Sequence, residues 1–206
     1  MKLISLLIVG LFITSYALAQ GNTERDKRIA EFLQQSRQEW RDLNVPFEDG
    51  KILHDIIVDN DYQSALEIGT STGHSTIWLA WALSKTGGKL VTIEMDEGRQ
   101  RQAKQNIEQL GLGDFVEFKL GNAHQIVKDL DGPFDFVFSD ADKDWYVQYF
   151  KDIHPKLKQG GTFTAHNVLQ RLRGIGEYLD YVQQHSDYQT HIDKTSSSGI
   201  AISKKQ

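Results

Sequence analysis

Three short runs in this 206-residue chain put reactive side chains where an apolar strand pattern gives way to a loop. The first is Glu67-Ile68-Gly69-Thr70-Ser71-Thr72-Gly73-His74-Ser75. Glycine lets a backbone turn tightly and approach a ligand closely. Amides at the start of the following helix can then face polar ligand groups. The spacing is G-x-x-x-G. The dinucleotide pattern G-x-G-x-x-G is absent, and so is the G-K-[ST] ending of a phosphate loop, which disfavours nicotinamide and nucleoside-triphosphate sites. The second run is Ile93-Glu94-Met95-Asp96. An acid that ends a strand about 25 residues beyond such a loop can accept hydrogen bonds from the ribose hydroxyls of an adenosine ligand. Asp96 better fits a cap on the next helix. Taken alone, the glycine pair reads as a turn; with Glu94 it reads as a nucleoside site.

The third run, Ser139-Asp140-Ala141-Asp142-Lys143, follows the apolar stretch Phe134 to Phe138, and a later strand pattern ends at His166-Asn167. Open α/β sheets bind their ligands at the carboxyl ends of the strands. Asp140, His166 and Asn167 offer oxygen, nitrogen and oxygen donors, a set that could hold a divalent cation with positions left open. Lys143 sits one turn beyond Asp140, within reach of a proton near that cation. Each residue also has an ordinary reading. Asp140 can be a helix cap, His166 a polar strand end and Lys143 a surface charge, and the pattern alone leaves both readings open.

These residues can meet only if strands and helices alternate. The hydrophobic periodicity predicts strands near Ala65–Ile68, Leu90–Ile93, Phe115–Phe118, Phe134–Phe138, Thr162–Ala165, Tyr188–Ile192 and Gly199–Ser203. Helices are predicted between them: one from the glycine loop through Leu83, then Gly98–Leu110, Ala123–Leu130, Trp145–Ile153 and Arg171–Gln184. That order implies βαβ units and a mostly parallel sheet. Only a turn separates the last two strands, so one of them is antiparallel. Ahead of the sheet, Thr23–Leu43 and Lys51–Val58 read as amphipathic helices, the first with Ile29, Phe32, Leu33 and Trp40 on its apolar face. Residues 20–60 are taken as an N-terminal helical extension of the one domain.

The composition, 39% hydrophobic and 25% charged, is that of a globular domain. With no cysteine there is no disulfide, thiolate metal site or cysteine nucleophile. A formal charge of −5 argues against a nucleic-acid partner. Residues 1–19 stand apart: Lys2 is their only charge, and the run ends Ala17-Leu18-Ala19. This is the pattern of a signal peptide cut near Gln20, which predicts an exported chain, periplasmic or secreted. Its alternative is an uncleaved membrane anchor, short for a span.

Glu67 to Ser75, Ile93 to Asp96, Phe134 to Tyr146 and His166-Asn167 together resemble the cation-dependent O-methyltransferases. That family contains catechol O-methyltransferase, caffeoyl-CoA O-methyltransferase and many small bacterial members. The resemblance covers about Val45 to Ile202, and Asp135 to Lys143 is its most specific part. It implies a Rossmann-like, class I methyltransferase fold with a seven-stranded sheet, helices on both faces, over residues 20–206. It implies S-adenosylmethionine as methyl donor. Glu67, Gly69, Ser71 and Ser75 would hold the methionine end, Glu94 the ribose, and Ala123 and His124 the adenine, with Asp140 beside the donor. Asp140 and Asn167 would be metal ligands and Lys143 the general base. The acceptor would be a small catechol-like hydroxyl compound, and a homodimer fits the family.

Two departures bear on function. The family pattern has Asp-Asn where this chain has His166-Asn167. Magnesium and calcium prefer oxygen ligands, so a histidine shifts preference toward manganese, iron, cobalt or zinc, or signals that the metal is lost. The stretch after Asn167 also runs almost directly into the Arg171 helix, without the longer insertion of the members that act on acyl-CoA esters. Alternatives to the cation-assisted enzyme are a metal-independent methyltransferase that uses His166 and a non-catalytic binder of an adenosine ligand. Export motivates the binder, because S-adenosylmethionine is made in the cytosol.

Overall fold

The computed structural model describes residues 23–37, 39–40 and 43–206. Its strands are β1 (Ser64–Ile68), β2 (Lys89–Glu94), β3 (Val116–Leu120), β4 (Phe134–Ser139), β5 (Leu157–His166), β6 (Tyr188–Asp193) and β7 (Ile200–Lys205). They form one sheet of seven strands in the order β3-β2-β1-β4-β5-β7-β6. β1 to β5 are parallel, and β7 runs antiparallel to both of its neighbours, β5 and β6. The expected mostly parallel sheet with one reversed strand is therefore present. Strand order reverses between β1 and β4, and such a switch opens a crevice at the carboxyl ends. The glycine loop follows β1 and the Asp140 run follows β4, so both candidate motifs flank that crevice.

The chain divides into two units, Met1–Glu39 and Trp40–Gln206. In the first, residues 23–37 form a helix, α1. The predicted leader, residues 1–19, lies outside the described residues. Among the described residues no helix is long and apolar enough to cross a membrane. The second unit holds the sheet and α2 (Phe47–Asp59), α3 (His74–Thr86), α4 (Glu97–Gln109), α5 (Ala123–Asp129), α6 (Tyr146–Ile153) and α7 (Ile175–Gln183). Every residue of the central strand β4 is buried, as a strand covered on both faces requires. On one face Val137 and Phe163 pack with Tyr149 and Phe150 of α6 and Tyr178 of α7.

Four boundaries differ from the periodic reading, each for a local reason. Trp40 is not helical; it belongs to the second unit and meets His74 edge-on at 5.0 Å. α2 starts at Phe47, four residues before the predicted Lys51, because Pro46 presets φ at −50° and Glu48 and Asp49 complement the first turn. β5 starts at Leu157, with Gly160 and Gly161 inside the strand beside a register shift against β4. α7 starts only at Ile175, because the residues after β5 are used in a turn. There Leu169 N donates to Ser198 O at 2.9 Å, and Gln170 N donates to Asn167 O at 3.1 Å.

α2 reaches its place against α3 through Gly50. A Cβ at Gly50 would come within 2.3 Å of the Trp78 ring, and Trp78 also meets Phe47 edge-on at 4.9 Å. Gly50→Ala should therefore destabilise the fold by about 1–3 kcal/mol through overpacking, measured by urea unfolding. A variant as stable as the parent would mean that Trp78 moves freely and does not fix α2.

Candidate active site

Gly69 has φ 104°, and a Cβ there would stand 2.9 Å from the carbonyl oxygen of Asp140. Only glycine lets the ends of β1 and β4 approach so closely. Backbone bonds hold that approach: Asp140 N donates to Ile68 O at 2.9 Å, and Gly69 N and Thr70 N both donate to Ile93 O at 3.1 Å. Three strand ends are thus tied together at one loop.

Glu67, expected to contact the cofactor, lies beneath this loop and does not line the cleft. It is fully buried and accepts hydrogen bonds from Ser75 Oγ, Thr76 Oγ1 and Thr92 Oγ1, each at 2.6 Å. Its role is to fix the loop and the start of α3 from below. Burial pushes its carboxyl up to about 7, against the pull of the three hydroxyls.

The other expected residues do meet, around an open cleft of about 820 Å³, a volume typical of small-molecule sites. Gly69, Ser71 and Ser75 line it along the glycine loop. Glu94, at the end of β2, accepts from Ser71 N at 2.7 Å and from Met95 N and Asp96 N at 2.9 Å. These amides fix the direction of the carboxylate. Asp96 caps α4, as its position in the sequence suggests, accepting from Arg99 N at 2.8 Å. Ala123 and His124 line the cleft at the start of α5. The His124 ring stacks on Trp145, with centroids 4.0 Å apart and planes 11° apart, and its Nε2 lies 3.2 Å from Asp142.

Asp140, Lys143, His166 and Asn167 complete the lining. Lys143 Nζ donates to Asp140 Oδ1 at 2.7 Å. The other carboxylate oxygen, Oδ2, lies 3.1 Å from His166 Nδ1. On its far side, His166 Nε2 meets Asp49 Oδ2 at 2.8 Å. Asp49 is completely buried, His166 is 2% exposed, and Ser196 Oγ donates to the same Asp49 oxygen at 2.7 Å. Burial opposes charge on both His166 and Asp140, but their mutual pairing prevails. It raises His166 to about 9, with help from Asp49, and holds Asp140 below the usual carboxylate range, with help from Lys143.

Asp49 is the member of this cluster that the sequence reading missed. Its signal was present: Asp49, Leu53 and Ile57 share the buried face of α2, so an acid occupies a position where the helical spacing calls for an apolar residue.

Two atoms of the expected donor set have the spacing that a divalent cation would need. Asp140 Oδ2 and His166 Nδ1 are about as far apart as neighbouring ligand atoms on one ion with bonds of about 2.0–2.2 Å. Asp49 occupies the far ring nitrogen, as a carboxylate does behind a ligand histidine.

Glu67 yields a test of the loop's support. Its folded pKa lies above the ordinary 4.5, so folding favours the protonated form. That stabilisation is complete below about pH 4.5 and is lost as pH rises through about 7. Between about pH 5 and pH 8 the parent should lose roughly 2–3 kcal/mol more stability in urea unfolding than Glu67→Gln. Equal losses would show that Glu67 has no raised titration.

Comparison with known proteins agrees with this geometry. The family model described as O-methyltransferase matches residues 21–190. The catechol O-methyltransferase of Niastella koreensis is 36% identical over 132 residues, which is 62% of this chain and 59% of that protein. A caffeoyl-CoA O-methyltransferase of Nicotiana tabacum is 31% identical over 177 residues, 81% of this chain and 74% of that one. Against the first of these, then, the match spans under two thirds of the relative's length. Among solved structures, the O-methyltransferase TomG of Streptomyces achromogenes, in complex with SAM, has a TM-score of 0.76 at 28% identity. The match covers 86% of this chain and 89% of that one. The O-methyltransferase of Bacillus cereus, in complex with SAH, gives 0.75 at 27%, over 89% and 91%. With the family model matched over residues 21–190, the chain belongs to the O-methyltransferase family.

Proposed function

We propose that the protein transfers a methyl group from S-adenosylmethionine to one hydroxyl of a small catechol-like acceptor. The observation that carries this reading is a single cleft lined by the glycine loop and Glu94 together with Asp140, Lys143, His166 and Asn167. The donor-bound structural neighbours and the Niastella relative named for catechol support it. Gly69, Ser71 and Ser75 take the methionine end, Glu94 the ribose, and Ala123 and His124 the adenine edge.

The reaction is an in-line displacement. The acceptor oxygen forms a bond to the methyl carbon while the carbon–sulfur bond breaks, leaving a methyl ether and S-adenosylhomocysteine. Positioning supplies much of the rate in such a step. Lys143, in its uncharged amine form, receives the hydroxyl proton and becomes the ammonium, and its bond to Asp140 sets the amine at the acceptor side of the cleft. Asp140, His166 and Asn167 would hold the divalent cation, which when bound supplies positive charge that lowers the pKa of the acceptor hydroxyl. The imidazole in the set favours manganese over magnesium. The same proposal takes residues 1–19 as a signal peptide or retained anchor, so that the enzyme works outside the cytosol, and takes the chain as a homodimer.

A second reading rests on the His166 bridge. Both ring nitrogens face carboxylates, and nitrogens so placed each carry a proton. His166 would then itself supply the fixed positive charge, with no metal.

Methyl transfer from labelled donor to catechol tests the proposal; no transfer to any vicinal diol would refute it. Activity abolished by chelator and restored by manganese supports the cation reading, and activity unchanged in chelator supports the second. Lys143→Ala should lower kcat by about 10²-fold or more with donor affinity within about twofold by calorimetry, and full turnover would exclude Lys143 as base. Asp49→Asn should weaken manganese binding about 10–100-fold; unchanged affinity would remove His166 from the ligand set.

A further inference from the structure

A second cluster of ligand-type side chains lies at the other edge of the sheet. His154 sits just ahead of β5, in the 3-10 turn His154–Lys156, and His185 and Asp187 lie in the turn between α7 and β6. β5 and β6 both run antiparallel to β7, so their first residues lie at the same edge, away from the carboxyl ends that form the cleft. His154, His185 and Asp187 each bring one ligand atom within 4.8 Å of the others. We propose that these three side chains form a second metal site, for a borderline divalent ion such as zinc, that staples the start of β5 to the α7–β6 turn.

Each ligand has one polar atom held by a neighbour, with its second polar atom left for an ion. His154 Nδ1 lies 3.0 Å from the hydroxyl of Tyr188, which leaves Nε2. His185 Nδ1 accepts from the amide of Asp187 at 3.3 Å, which also leaves Nε2. Asp187 Oδ1 accepts from Ser186 Oγ at 3.1 Å, which leaves Oδ2. Partners on the far atom are what orient ligand side chains on a metal. Two imidazoles and one carboxylate make a set that suits zinc and its neighbours better than magnesium or calcium.

The spacing and the backbone agree with this assignment. His154 Nε2 and Asp187 Oδ2 are 3.8 Å apart, too far for a hydrogen bond. Ligand atoms on a tetrahedral zinc ion lie about 3.3–3.5 Å apart, so this pair needs a shift of only a few tenths of an ångström to close on an ion, and His185, whose ligand atom lies within 4.8 Å of both, completes the set by a side-chain adjustment. The turn is held in advance: Tyr188 N donates to His185 O at 3.1 Å, and Gln206 N donates to Asp187 O at 2.8 Å. Lys205 Nζ holds the carbonyls of His154 and Leu157 at 2.7 and 2.9 Å.

The test is a calorimetric titration of the full chain with zinc chloride, with thermal melts read by circular dichroism. Zinc should raise the melting temperature of the parent. His185→Ala and Asp187→Asn should each weaken one zinc-binding event about tenfold or more and lose most of the thermal shift. Asp187 is 52% exposed, so its substitution leaves the core intact even if His185→Ala unfolds. Donor binding, measured in parallel, should be unchanged in both variants, which separates failure of this site from failure of the cleft reading. If the parent binds no zinc, or if both variants bind and melt as the parent does, the site does not exist.

Discussion

A nearly completely buried imidazole between two carboxylates joins α2 to the carboxyl edge of the sheet. His166 at the end of β5 reaches Asp49 on one side and Asp140 on the other. Neither Asp49 nor His166 has water to replace a lost partner, and breaking such a buried pair leaves an uncompensated charge worth about 3–5 kcal/mol. The chain of contacts from Asp49 through His166 and Asp140 to Lys143 fixes these four side chains relative to one another beside the cleft.

The glycine-loop side of the cleft is built by different means. Here backbone geometry does the positioning, with side chains in support. Gly69 allows β1 and β4 to converge, Ile93 O ties in β2, and Glu67 and Glu94 brace the loop from below and from the side. A loop whose amides are already oriented loses little freedom when a ligand arrives, and preorganisation of that kind serves affinity and rate together. The two sides meet at Asp140, whose backbone closes against Gly69 while its side chain holds Lys143 and His166.

Most of this was legible in the sequence because it rests on local pattern. The seven strands, their parallel sense and the strand-end positions of Glu94, Asp140 and His166 follow from apolar runs and glycine punctuation. Glu67 shows where that logic stops. Its place in the motif says that it belongs to the loop, but only the packed structure shows three hydroxyls drawing it beneath the cleft. Asp49 shows the other limit. Its contact with His166 spans 117 positions, and no local spacing encodes such a pair. An acid on the apolar face of α2 was the available sign, and it was hidden because the helix begins at Phe47, just after Pro46 and ahead of the first regular apolar repeat.

The central claim is that the glycine loop and Glu94 form a site for S-adenosylmethionine. Calorimetric titration of residues 20–206 with that donor, for the parent and for Glu94→Ala, tests it most directly. The account predicts micromolar binding by the parent and loss of binding in the variant, with both proteins folded by circular dichroism. A parent that binds no donor, with or without manganese, would contradict it, and so would a Glu94→Ala variant that binds as tightly as the parent.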